Sequence, residues 1–148
     1  MKKLNKKGFT LIELLAVIVV LAVIMVIATQ QVNRTIKKAR TNSFNETMQT
    51  VVKTAKLLIA ENDLTQESLR NDLDYSDREY QVYVTGNGPW TVSLTATSNG
   101  KFKNIDYSLM GTNDKISSYC YGKNNHLNQI SVVINDTGEL STPNNCSN

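Results

Sequence analysis

The chain has 148 residues, 41% apolar and 20% charged, with 16 Lys and Arg against 13 Asp and Glu for a formal charge of +3. Four lysines, Lys2, Lys3, Lys6 and Lys7, stand in the first seven positions with no acid among them, so the remainder carries 12 bases against 13 acids, a net of −1. The positive balance belongs to one short segment and is no footprint of nucleic-acid binding.

Residues 9–28 form an apolar run of 20, interrupted only by Thr10 and Glu13. As a helix at about 1.5 Å per residue it spans roughly 30 Å, the thickness of a bilayer's hydrocarbon core. The lysines in front of it place the N-terminus on the cytoplasmic side. An acid inside such a run costs roughly 2.5–3.5 kcal/mol at mid-membrane, so Glu13 needs a function. A secretory signal peptide, with Val26-Ile27-Ala28 as its cleavage site, has a shorter apolar region than this and no use for Glu13. A plain uncleaved anchor leaves Glu13 equally unexplained.

The segment Lys6-Lys7-Gly8-Phe9-Thr10-Leu11-Ile12-Glu13 resembles the processing motif of type IV pilin and pseudopilin precursors, the class III signal peptide. The resemblance covers about the first third of the chain. It implies a leader (1–8) cleaved after Gly8 by a prepilin peptidase, N-methylation of Phe9, and a transmembrane, filament-core half of a long helix at 9–30. Residues 31–148 then form an extracellular globular domain. The cationic amine of Phe9, buried among identical apolar helices, would pair with Glu13 of a neighbouring subunit. Such a pair gains little net energy, but breaking it strands a buried charge, so it acts as a device for axial register. On this reading Glu13→Ala or Glu13→Val leaves a processed protein in the membrane that does not polymerise, whereas a monomer gains nothing from the charge. Implied partners are itself and other pilins in a helical filament, the peptidase, and an assembly platform with its ATPase. The precursor lies in the cytoplasmic membrane and the product in an extracellular surface filament.

The helical pattern continues past residue 28. Val32, Ile36, Ala39, Ser43, Met48, Val51, Ala55, Leu58 and Ile59 recur mostly every three or four residues, and no Gly or Pro occurs between Gly8 and Gly86. One helix is predicted over about 9–62. Many type IV pilins have a proline near Gln30; here the first is Pro89, and Ala28-Thr29-Gln30-Gln31 is the weakest apolar stretch. The outer half is basic on its exposed side (Arg34, Lys37, Lys38, Arg40, Lys53, Lys56), and residues 63–79 are acidic. These are either solvated faces or complementary surfaces that steer neighbouring subunits. Thr65 is a good N-cap, and Leu64 can staple onto Leu69, which predicts a short helix at about 66–73.

From residue 79 the period becomes two. Tyr80, Val82 and Val84 alternate with polar neighbours, Gly86-Asn87-Gly88-Pro89 turns, and Trp90, Val92, Leu94 and Ala96 alternate again. Further strands are expected at about 101–108 (with Phe102 and Ile105 inward), 116–121 and 128–134, then a turn at 135–138 and a polar tail. The fold class is α+β: the outer half of the long helix packs on a four- to five-stranded antiparallel sheet, the pilin-like arrangement. A globular part of about 90–115 residues has a marginal core. Cys120 and Cys146 are an even pair outside the membrane segment, which points to a disulfide, with two free thiols as the alternative. The resemblance implies the bond as well, since a C-terminal disulfide-bounded loop is common in pilins.

No enzyme is expected. The single histidine, His126, has no recognisable Ser/His/Asp or Cys/His set, and there is no Gly-rich phosphate loop. The run from Asp72 to Glu79 faintly resembles a calcium loop but lacks its glycine, so it reads as a solvated acidic connector; no metal or cofactor is expected. The expected function is a structural subunit of a type IV pilus serving adhesion, motility or surface display. Alternatives are a pseudopilin of a secretion or DNA-uptake machine, or a monomeric membrane-anchored adhesive or binding module.

Overall fold

A computed structural model describes residues 8–73 and 79–146. Lys2, Lys3, Lys6 and Lys7 lie outside the described residues, as do Asp74, Ser76 and Asp77 of the calcium-like run. The chain forms two compact units, residues 1–36 and 37–148. Helix α1 (Leu11–Ala60) supplies both with residues. It begins two residues later and ends two residues earlier than the period predicts.

In the first unit α1 is exposed throughout, and over residues 14–28 it is apolar around its circumference. Leu11, Leu14, Val17, Leu21 and Ile24 all lie open. In the second unit one stripe of α1 is buried: Thr41, Phe44, Asn45, Met48, Val51, Val52, Ala55, Leu58 and Ile59. The stripe therefore starts at Thr41, not at Val32, and turns on Phe44 in place of Ser43. Val32 and Ile36 are exposed.

The end of α1 is set by Asn62, whose φ of 57° is left-handed. The Asp63 N–H donates to the Leu58 carbonyl at 2.9 Å and the Asn62 N–H to the Ile59 carbonyl at 3.0 Å. This is a Schellman stop, with asparagine where glycine is commonest. Helix α2 (Gln66–Asp72) follows. Thr65 Oγ1 accepts from the Ser68 N–H at 3.0 Å, and the Thr65 N–H donates to Ser68 Oγ at 2.9 Å, closing a capping box. Leu69 is buried in the core, and Leu64 packs against the same cluster.

The sheet contains β1 (Tyr80–Thr85), β2 (Trp90–Ala96), β3 (Cys120–Asn124), β4 (Leu127–Ile134) and β5 (Leu140–Ser141). All pairings are antiparallel, in the order β1-β2-β4-β3, and β5 pairs with the end of β4. Strand β4 shows strict alternation, with Asn128, Ile130, Val132 and Ile134 buried. Ile130, Val132 and Ile134, with Val82, Val92, Leu94 and Ala96, share one core cluster with the apolar residues of the α1 stripe.

Two predicted strands are corrected. Residues 101–108 form turns and a 3-10 helix (Tyr107–Leu109), not a strand. Phe102 and Ile105 are inward, as expected, but their spacing of three is that of a turn and not of a pleat. Phe102 stacks on Phe44 at 4.9 Å between ring centroids. The strand expected at 116–121 begins only at Cys120, because 116–119 turn through a Tyr119 N–H to Ile116 carbonyl bond of 3.0 Å. Side chains hold this long connection in place. The Asp106 N–H donates to Thr41 Oγ1 at 3.0 Å, Asn45 Nδ2 to the Asp114 carbonyl at 2.9 Å, and Tyr121 Oη to Asn45 Oδ1 at 2.9 Å. Asn128 Nδ2 reaches the Lys103 carbonyl at 3.0 Å.

Candidate assembly head and disulfide-bounded tail

Gly8 and Phe9 are exposed in front of α1, and Phe9 is 87% accessible. A Cβ built on Gly8 would meet nothing within 4 Å. Nothing in the described chain requires glycine there.

Thr10 is the residue before the first helical turn and Glu13 the third residue within it. The Thr10 N–H donates to Glu13 Oε2 at 2.9 Å, and the Glu13 N–H reaches Thr10 Oγ1 at 3.4 Å. Thr10-x-x-Glu13 is thus a reciprocal capping box, and the acid also sits where the helix dipole favours negative charge. This corrects the expectation that a monomer gains nothing from Glu13: an isolated helix gains a closed N-terminus. The signal was in the sequence as Thr-x-x-Glu ahead of an apolar run. The cap uses Oε2 and leaves Oε1 outside it.

Behind this head lies the one stretch of described helix long and apolar enough to cross a membrane, with an 18-residue window of mean hydropathy 3.2, none of it buried. A helix apolar on all sides is at home in lipid or among other apolar helices. Among the charged residues of the outer half, Arg34, Lys37, Lys38, Arg40 and Lys53 are exposed and Lys56 is half-buried. Of the acidic segment, Asp63, Glu67 and Asp72 are exposed. Glu79 has a local role: it accepts the Lys101 N–H at 2.8 Å.

At the other end of the chain, Cys120 and Cys146 are bonded, with Sγ atoms 2.08 Å and Cα atoms 5.6 Å apart. Cys120 pairs with Ser131 of β4, and Ser141 of β5 with Val133, so the first residue of β3 and the last of β5 meet on one side of β4. The bond ties the tail back across that junction. Under the tail is a groove of about 720 Å³ whose lining includes Ser93, Gly122, Ser131, Pro143 and Asn145. His126 is exposed in the two-residue β3–β4 turn, where Asn125 and His126 have φ of 48° and 67°. Positive φ at both central residues is the geometry that a tight hairpin of this kind requires. Among the described residues no three of His, Cys, Asp and Glu are grouped to hold a metal ion.

Residues 3–29 match the family model described as Prokaryotic N-terminal methylation motif, the signal peptide of type IV pilin precursors. No curated protein and no solved structure matches the chain.

Proposed function

We propose, from the premise that residues 3–29 carry the methylation motif of type IV pilin-class precursors, that this chain is a structural subunit of a type IV pilus filament. The observation that supports this most directly is the head of α1. A carboxylate stands in the first turn of a helix whose apolar surface is exposed on every side, so the helix needs lipid first and other helices afterwards.

The steps follow from these residues. Hydrolysis of the Gly8–Phe9 peptide bond by the prepilin peptidase leaves the four lysines behind and exposes a cationic amine on Phe9, which is then N-methylated. Loss of the lysines removes the charges that hold the helix in one place relative to the cytoplasmic face. The amine of one subunit then meets Glu13 of another, through Oε1 while Oε2 keeps its cap. The energy of that pair is small, but misregister strands two charges in an apolar stack. The globular unit is carried outward as surface, with no catalytic role. Other pilins and an ATP-driven assembly platform are the implied partners.

The capping box gives one point to a second reading, a membrane-anchored module that stays monomeric, because Glu13 serves that monomer as well. Intact mass and N-terminal sequencing of protein sheared from the cell surface separates them. The expected product begins at N-methylated Phe9 and is filamentous by electron microscopy, with length distinguishing a pilus from a short pseudopilus. A chain starting at Thr29 would indicate a secreted domain. A chain keeping residues 1–8 and found only in membranes would establish the anchored module.

A further inference from the structure

The turn between β1 and β2 is Gly86-Asn87-Gly88-Pro89, and all four residues are exposed. Gly86 and Gly88 have φ of 97° and 102°, left-handed conformations that glycine takes without strain. The turn thus holds an asparagine flanked on both sides by residues without a Cβ. Among the described residues, neither the Asn87 side chain nor the Gly88 N–H makes a hydrogen bond.

The chain has one other Asn-Gly pair, Asn99-Gly100, in the turn that leaves β2. Asn99 is exposed as well, but its turn is braced. The Gly100 N–H donates to the Thr97 carbonyl at 3.4 Å, and the Gly100 carbonyl accepts from the Lys103 N–H at 3.2 Å. On either side, the Thr97 N–H is held by the Glu79 carbonyl at 3.2 Å and the Lys101 N–H by Glu79 Oε2 at 2.8 Å. Gly100 itself is half-buried.

The contrast bears on a reaction open to any asparagine that precedes glycine. The Gly88 nitrogen gives its proton to a solvent base and attacks Cγ of Asn87. The N–Cγ bond forms, the Cγ–Nδ2 bond breaks, and ammonia leaves with a proton from water. A second water then opens the cyclic imide at one of its two carbonyls, leaving aspartate or isoaspartate at position 87. Amide and water become carboxylate and ammonium, with no oxidant or cofactor. The fold decides whether the nitrogen can swing towards Cγ. A side chain on the following residue would obstruct that approach, and hydrogen bonds around its N–H would have to break first. The β1–β2 turn presents neither obstacle; the turn after β2 presents the second.

We propose that Asn87 is a modification site, converted by its own main chain to aspartate and isoaspartate while the protein is folded, and that Asn99 is protected. The product alters the surface beside it. A Cβ built on Gly88 would meet Asp136 Oδ1 at 2.7 Å, so a carboxylate from the 135–138 turn already lies against this residue. A carboxylate at position 87 is ionised at neutral pH and adds a second negative charge to that neighbourhood. Isoaspartate also lengthens the main chain by one carbon between Thr85 and Thr91, which face each other across the ladder. The chemistry does not depend on polymerisation. On the filament reading above, it gives each displayed subunit a negative charge that accumulates with age.

The test incubates the full, folded chain in detergent and mildly alkaline buffer made with heavy-oxygen water. Peptide mapping with electron-transfer fragmentation then locates the label and tells isoaspartate from aspartate. Label should enter position 87 about fivefold or more faster than position 99, the factor of one ordinary hydrogen bond, with isoaspartate among the products. In urea, where both turns are lost, the two rates should converge. No label at position 87 in the folded chain, equal rates in the folded chain, or a difference that persists in urea overturns the proposal. Asn87→Gln, which would need a larger ring, should remove most of the acidic form that ion-exchange chromatography resolves, with circular dichroism unchanged. An acidic form that accumulates undiminished in this variant would place the reaction elsewhere and refute the assignment.

Discussion

The cap that Glu13 makes and the register role proposed for it can be separated by one substitution. Glutamine at the third helical position keeps a capping box and loses the charge. Glu13→Gln should therefore leave α1 and membrane insertion intact while abolishing filaments; Glu13→Ala removes both roles. Filament yield by shearing, beside helicity by circular dichroism, reads the two. Normal filaments from Glu13→Gln would reduce Glu13 to a cap. Asn62 offers a similar contrast at the other end of α1. Its left-handed φ costs alanine about 1 kcal/mol relative to glycine or asparagine, so Asn62→Ala should lower the urea midpoint and Asn62→Gly should hold or raise it. The motif around Gly8 was legible because its pieces are chemically unlike one another: lysines, a glycine, an aromatic, then one acid in an apolar run. The capping role of the same acid is less legible, because Thr-x-x-Glu is a common local pattern whereas a charge in an apolar run is rare and costly.

Among elements, periodicity decided what could be read. The α1 stripe, the β1–β2 pair and β4 repeat over enough residues for one face to be defined. The connection between β2 and β3 repeats nothing. It is held by Thr41, Asn45, Tyr121 and Asn128, whose partners lie as far as 76 residues away in sequence, and no local window contains such pairings. The same connection buries phenols. Burial and the neighbouring Tyr121 push the Tyr119 hydroxyl up to about 12, and the Tyr107 and Tyr121 hydroxyls are also raised, chiefly by burial. A folded value above the unfolded one near 10 means stability that is complete below pH 10 and is lost as pH rises from 10 towards 12. The unfolding midpoint should be flat up to about pH 10 and then fall. Absorbance of ionised tyrosine should rise in step with loss of sheet. Ionisation of all six tyrosines at one pH, with the sheet intact, would contradict this packing.

For the molecule as a whole, α+β architecture with four or five antiparallel strands follows from the sequence, while strand order, and the short β5 in what reads as a polar tail, do not. Strand β4 enters between β2 and β3, and the β3–β4 hairpin turns on an asparagine and a histidine rather than on a glycine. The core beneath is modest, so the 26-residue separation between Cys120 and Cys146 matters globally. Opening it should cost about 3.5 kcal/mol of stability in the chain-entropy account. Urea denaturation of the full chain with and without reductant, beside Cys120→Ser/Cys146→Ser, measures this; an unchanged midpoint would show the tail to be an ornament on an already stable sheet.

The edge of β1 bears on how copies of this chain can meet. The side-chain amide of Gln66, at the first position of α2, donates to the Val82 carbonyl, and its oxygen accepts the Val84 N–H at 2.7 Å. One residue thus occupies the edge of β1 at Val82 and Val84, where a further strand would otherwise pair. A subunit crowded against its own kind has two routes to growth, helix beside helix or sheet edge to sheet edge. The second route leads to irreversible cross-β stacking, and Gln66 bars it at this edge. The filament proposed for this chain would then have to grow through its helices.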